Sequence, residues 1–344
     1  MMPAQSRRTP HPAYRTPNSA PRAPLRRQCG MQAPSHPSHP ALAGLAVFER
    51  GWLSSNNILV HAAPGEDGAV LIDTGHVNHA AQTLALVRHA LQGLPLARIV
   101  NTHLHSDHCG GNALLQRELG APAVVPPGHA EAVRLWDESA LTYRASGQLI
   151  DRFDAAHTVQ PGQSWIAGGR EWQALAAPGH DEHSLIYFDR EHGVLISADA
   201  LWENGFGAVF PEMVGEPGFD DVGAVLDLIE SLPVRIVVPG HGRPFTDVAG
   251  ALARARRRLA GFKADPARHL HHAAKVLLKY HLMEMREQSQ ADLQRWAAAT
   301  PLVVGLWERQ ARPETSAQAW LEHLVGELVA QGALARAGQQ VLDR

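Results

Sequence analysis

The stretch NTHLHSDHCGG, residues 101–111, places three histidines and an aspartate within the six positions from His103 to His108. Imidazole and carboxylate suit zinc, iron or manganese, and the chain's two cysteines, Cys29 and Cys109, cannot add a thiolate cluster. His103 and His105, two residues apart, can approach one metal from the same side, while Asp107 and His108 can turn toward a second. The stretch is then either a solvated polar loop or half of a metal site completed downstream. Gly110 and Gly111 are expected to let the backbone turn sharply beside it.

The downstream chain supplies further ligand types, each at the end of a predicted strand. WQALAAPGH sets His180 past a strand and a Pro-Gly turn, VLISAD sets Asp199 directly after another, and RIVVPGH sets His241 behind a second Pro-Gly. Any one alone reads as a polar loop residue; the combination, in this order, decides for a metal site.

The elements that must position these residues are short β-branched runs alternating with helical stretches. Strands are predicted at 56–63, 69–75, 97–101, 122–126, 172–177, 184–189, 193–197 and 234–240, the third emptying into the histidine loop. Helices are predicted at 79–91, with Leu84, Val87 and Leu91 on one face, and at 219–231 and 247–262. Beyond 264, two long amphipathic helices and a two-stranded wing around Ala337–Gly338 suggest a winged-helix-like module. Residues 1–43, rich in Pro, Ser, Arg and His with no acidic residue before Glu49, read as a disordered tail, with Met31 as an alternative start. The expected organisation is a tail at 1–43, a catalytic domain at 44–263 and a C-terminal helical module at 264–344.

The 344 residues are 45% hydrophobic and 19% charged with a formal net charge of −3, an ordinary globular composition. That charge invites neither nucleic acid nor an anionic membrane surface. Two cysteines exclude a disulfide framework, making a reducing cytoplasm the default, and no apolar run is long enough to span a bilayer. The basic run at 254–263 reads as a solvated helix face with Leu252, Leu259 and Phe262 turned inward. The C-terminal module is expected to cover the edge of the active site or to form a homodimer contact. The His269, His271 and His272 cluster reads as a solvated helix face, and Cys109 as a small buried hydrophobe.

The H-x-H-x-D-H pattern at 103–108, followed in order by His180, Asp199 and His241, resembles the metallo-β-lactamase-fold superfamily over about residues 44–262. The resemblance implies a four-layer αββα sandwich with metals held by loops at one edge. Carried over, it gives His103, His105 and His180 the first metal, Asp107, His108 and His241 the second, and makes Asp199 the bridge. Asp73 in LIDTG matches the family's early aspartate and would orient a ligand histidine. The implied cofactor is two divalent ions, zinc first, with iron or manganese as alternatives. Two metals about 3.5–4 Å apart share a hydroxide that is nucleophilic at neutral pH, with Asp107 orienting it and handling its proton.

By the same resemblance, true β-lactamases lack the aspartate at Asp199, which argues against that branch. The full set resembles the branch holding hydroxyacylglutathione hydrolases (glyoxalase II), lactonases and small-ester hydrolases. The stretch GHGRPFTD after the last histidine departs from the glyoxalase II pattern, which argues against a glutathione thioester. The expectation is therefore a binuclear metallohydrolase of a small ester, lactone or thioester. The rival is a mononuclear iron persulfide dioxygenase-like oxidoreductase using His103, His180 and Asp199; a nucleic-acid-processing or DNA-binding member stands third. For substrate, Trp202, Phe206 and Phe210 could form an apolar wall and Arg243 could hold a carboxylate. Residues 134–148 would be a lid or a plain helical insertion.

Overall fold

The computed structural model describes residues 39–310 and 315–344. Most of the expected tail, residues 1–38, lies outside the described residues. Residues 39–43 are placed: Ala41 and Leu42 are buried, and the Arg170 guanidinium donates to the carbonyls of Ala41 and Ala43.

Two sheets carry the architecture. The first has six strands in sequence order, Leu45–Phe48, Asn57–Val60, Ala69–Ile72, Leu96–Val100, Ala123–Val125 and Ala155–Thr158; its first three strands pair antiparallel and the rest parallel. The second has five, with Ile236–Pro239 at one edge, then Val194–Ala198, Leu185–Asp189, Arg170–Ala176 and Ser164–Ala167. Alternation along each strand assigns its faces. Val70 and Ile72, with Leu185, Tyr187, Val194 and Ile196, fill the space between the sheets. Ala69 and Leu71 face outward onto Leu84, Val87 and Leu115, whereas Ile186, Phe188 and Leu195 face the helices Phe219–Ser231 and Val248–Ala264. Both faces of both sheets are therefore covered, which is the expected four-layer αββα sandwich.

Leu45–Phe48, Ala155–Thr158 and Ser164–Ala167 are strands that periodicity did not single out. The first is half-buried along its whole length and the latter two are mostly exposed, so none shows the fully buried apolar run of a central strand. Residues 134–148 are no lid. Leu141 and Tyr143 are buried, and the Tyr143 hydroxyl donates to the Leu104 carbonyl at 2.7 Å, bracing the histidine loop from behind.

The C-terminal residues form helices Pro266–Met285, Gln290–Ala299, Pro301–Gln310 and Ala317–Ala330, closed by a sheet of Glu287–Ser289, Gln340–Asp343 and Leu334–Ala337. Their core of Leu277, Leu282, Leu306, Trp320 and Leu324 also takes in Ala208 and Met213 from the catalytic body. The cluster at 269–272 is not a solvated face. His269 is fully buried and accepts the Val209 N–H at 3.0 Å, and His272 packs against the Arg258 guanidinium at 2.6 Å.

Candidate metal centre

Five strand ends deliver the site. The strands ending at Ala176, Ala198 and Pro239 share one direction in the second sheet, because the first two flank Leu185–Asp189 antiparallel and the third pairs parallel with the second. Those ending at Ile72 and Val100 run parallel in the first sheet. Their continuations bring together two groups of ligand-type side chains, His103, His105 and His180, and Asp107, His108, Asp199 and His241, each with donor atoms within 4.8 Å of one another.

Close backbone approach makes this possible. Gly110 and Gly111 have ordinary right-handed φ of −62° and −83°, so they are not there for a sharp turn. A Cβ on Gly110 would lie 2.4 Å from the Val77 nitrogen, and one on Gly111 would lie 2.6 Å from the Thr74 carbonyl. The same holds for Gly240, whose Cβ would sit 2.2 Å from Asp199 Oδ1.

In the first group, three imidazole nitrogens point at one another. His105 Nδ1 lies 3.1 Å from His103 Nε2 and 2.8 Å from His180 Nε2. The opposite nitrogens fix the tautomers. His180 Nδ1 donates to the Ala208 carbonyl at 2.6 Å, and His103 Nδ1 lies 3.2 Å from Thr102 Oγ1, itself a donor to Asp73. Nε2 of both is thereby left with a bare lone pair aimed inward. Burial, then the neighbouring histidines, hold His103 far below the usual imidazole range, and burial with His180 brings His105 down to about 4. Three neutral lone pairs facing one another repel unless a cation sits among them, so this donor set fits a divalent metal.

The second group is rich in carboxylate. Asp107 Oδ2 lies 3.0 Å from His241 Nε2 and 3.6 Å from His108 Nε2. His108 Nδ1 donates to Asp73 Oδ2 at 2.7 Å, leaving its buried Nε2 without a partner among the described residues. Burial alone would discharge His108, yet Asp107, Asp199 and Asp73 together raise it well above its usual range. Burial would likewise raise Asp107, but His108 and His241 bring it to about 2. Such a nest attracts positive charge and fits a second ion. Asp199 spans the two groups, with Oδ2 3.5 Å from His180 Nε2 and Oδ1 3.4 Å from His108 Nε2 and 3.9 Å from His241 Nε2.

Asp73 sits behind both. It adopts a φ of 55°, a backbone region aspartate tolerates better than most residues. Besides the His108 proton it accepts the Thr102 N–H at 2.9 Å and the Thr102 hydroxyl at 2.7 Å.

Of the four residues expected at the substrate pocket, two are at the site. The Phe210 ring lies 4.3 Å from that of His105, and the Trp202 indole donates to Asp199 Oδ1 at 3.2 Å with its ring edge-on to His241. The other two are corrected. Phe206 is 1% exposed and packs in the core against Phe262 and beneath Arg258, because its side chain points back into the helical layer. Arg243 is 69% exposed at its side chain and faces Glu49 at 3.6 Å, a surface pair. Cys109 is fully buried, and burial pushes its thiol up, away from reactivity.

Sequence reasoning missed several residues. Trp52, 60% exposed, stacks on His241 with ring centroids 5.3 Å apart. Asn56 donates to the Pro239 and Gly242 carbonyls at 2.9 and 2.7 Å, clamping the turn that carries His241. Asp181 faces His105 Nε2 at 3.8 Å. The polar SSNN run ahead of an apolar strand was the available signal for Asn56; Trp52 and Asp181 carried none.

Residues 50–241 match the model of the metallo-beta-lactamase superfamily, and the chain belongs to that superfamily. The family uses divalent metals, and the His/Asp cluster fits a binuclear site. A hydroxyacylglutathione hydrolase of Synechococcus sp. (strain JA-3-3Ab) is 30% identical over 141 residues, covering 41% of this chain and 47% of that one. The acyl-coenzyme A thioesterase MBLAC2 of Gallus gallus is 25% identical over 156 residues, covering 42% and 56%. The chain thus spans about half the length of these two curated relatives. The crystal structure of a metallo-beta-lactamase family protein from Thermus thermophilus, TTHA1429, is similar in fold with a TM-score of 0.52 at 22% identity, covering 88% of this chain and 99% of that one. Such coverage extends the likeness of fold well beyond residues 50–241.

Proposed function

We propose that the protein is a binuclear metal-dependent hydrolase that cleaves a small ester, lactone or thioester, with zinc as the resident ion in a cytoplasmic setting. The observation that carries this reading is the Asp199 carboxylate lying between two complete donor groups, one oxygen toward each. His103, His105 and His180 would hold one ion and Asp107, His108 and His241 the other. When bound, two such ions supply an acidified water and polarise the substrate carbonyl.

The chain's own groups do the rest. Asp107, kept as a carboxylate by His108 and His241, accepts a hydrogen bond from the attacking water and orients it. Its low affinity for protons makes it an orienting group more than a proton store. The Trp202 indole N–H holds Asp199 Oδ1, and Phe210 and Trp52 flank the two ends of the site with apolar surface that excludes bulk water from an acyl group. The Synechococcus and Gallus relatives are both named for thioester-cleaving activities, which supports a thioester as the first substrate to try.

The oxidoreductase reading would use His103, His180 and Asp199 and leave Asp107, His108 and His241 without a task, so the hydrolase comes first. The test is a panel of short acyl thioesters, lactones and aryl esters with the zinc-loaded protein. Turnover that disappears on chelation and in His241→Ala is the expected result. Absence of hydrolysis across the panel, with oxygen uptake in the presence of persulfides, would overturn it.

A further inference from the structure

The long C-terminal helix Pro266–Met285 lies outside the family match at residues 50–241, yet it touches three of the loops that carry the metal centre. The hydroxyl of half-buried Tyr280 lies 2.7 Å from Ser106 Oγ, and Ser106 is the residue between His105 and Asp107. Buried Glu284 Oε1 lies 3.0 Å from His76 Nε2. Because His76 Nδ1 accepts the Asn78 N–H, the His76 proton sits on Nε2 and is donated to Glu284. Glu284 also accepts the Leu149 N–H at 3.2 Å, and the Glu284 carbonyl accepts from the Asn78 side chain at 3.0 Å.

His76 follows Asp73 by three residues, and its loop lies directly on the metal loop. The Gly110 Cβ position is 2.4 Å from the Val77 nitrogen and 2.9 Å from the His76 carbonyl carbon. Any shift of this loop moves Asp73, which orients His108, and presses on Gly110, two residues after His108. The third contact, His269 to the Val209 N–H, fixes the residue next to Ala208, whose carbonyl takes the His180 proton.

Resting on the binuclear reading above, we propose that Tyr280 and Glu284 are positioning residues for the ion held by Asp107, His108 and His241. The C-terminal helix sets the register of the Asp73 and His105–Asp107 loops, and the affinity of that ion depends on it. Glu284 Oε1 accepts from the His76 Nε2–H and the Leu149 N–H while Oε2 faces His281 Nδ1 at 3.8 Å, so an amide oxygen can replace Oε1 at its two donors.

The test is zinc titration of the metal-stripped full-length protein against a chromophoric chelator, read as the affinities of the first and second ions. The variants are Tyr280→Phe, Glu284→Leu and Glu284→Gln, with Val325→Ala in the core of the C-terminal module as the control. Thermal unfolding of each is followed alongside. Tyr280→Phe and Glu284→Leu are expected to weaken one of the two ions by about 10–100-fold, the range found when groups behind metal ligands are removed. Glu284→Gln should stay within about threefold of the parent, and Val325→Ala should lower the unfolding temperature without moving either affinity. Parental affinity in Tyr280→Phe and Glu284→Leu, or a loss shared by Val325→Ala, overturns the positioning role. A parent that binds only one ion would instead overturn the binuclear reading on which it rests.

Discussion

In the first donor group three buried imidazoles face one another, and burial with the neighbouring histidines lowers the proton affinity of His103 and His105. In the second, two carboxylates and the nearby Asp73 surround His108 and raise its affinity for a proton. One group is organised by neutral lone pairs whose outer nitrogens rest on a backbone carbonyl, a threonine hydroxyl and Asp181. The other is organised by charge, and its supports are a buried carboxylate and the Asn56 clamp. The contrast teaches that a proton can stand in for the second ion but not easily for the first. Occupancy of the second group should therefore respond to its surrounding carboxylates, and occupancy of the first to geometry.

Removing the shared ligand should do most damage. Asp199→Ala takes away the carboxylate that belongs to the second group and faces the first through His180, and we expect activity to fall by more than ~100-fold, beyond what groups behind the ligands contribute. Elemental analysis of the variant should show less metal than the parent; full retention of two ions would break the bridging role.

Asp73→Asn separates the groups. An amide cannot accept the His108 proton and both Thr102 donors as the carboxylate does. We expect the ion at His108 to lose about 10–100-fold in affinity and the ion at His103, reached only through Thr102, to lose less, read by chelator competition. Equal loss at both would erase the distinction.

A pH effect sharpens the contrast from the side of the first group. His269, which supports the Val209 segment, is brought to about 4 by burial first and Arg258 and Arg309 next. Between that value and the usual ~6.5 the unfolded chain takes up a proton that the folded chain refuses, so stability falls as pH drops through this window. The whole window is worth on the order of 3 kcal/mol, of which about 2 kcal/mol falls between pH 7 and pH 5. Urea unfolding at pH 7 and pH 5 should show the drop, and His269→Gln should flatten it. The smallest effect belongs to Arg243→Ala. An exposed ion-paired side chain is expected to change stability by less than about 0.5 kcal/mol and to leave kcat/KM unaltered.

Those four changes also mark what the sequence could and could not reveal. His103 to His108, His180, Asp199 and His241 stand at ends of apolar runs, where period and turn residues locate a strand edge without knowledge of its neighbours. Phe206 and Phe210 lie four residues apart, the second opening the helix Phe210–Val214, and only packing decides that Phe206 enters the core while Phe210 meets His105. The role of Gly110 was misread for a related reason: its need is a neighbouring chain 2.4 Å away from an absent Cβ, not an unusual φ. Tyr280 meets Ser106 and Glu284 meets His76 across more than 170 residues of chain and neither follows a motif, so these contacts exist only in the folded chain.

The most direct measurement is the metal content of protein purified without added metal. About two divalent ions per chain, with zinc dominant, is the expected result. One iron per chain, with Asp107, His108 and His241 contributing no second site, would contradict the binuclear hydrolase.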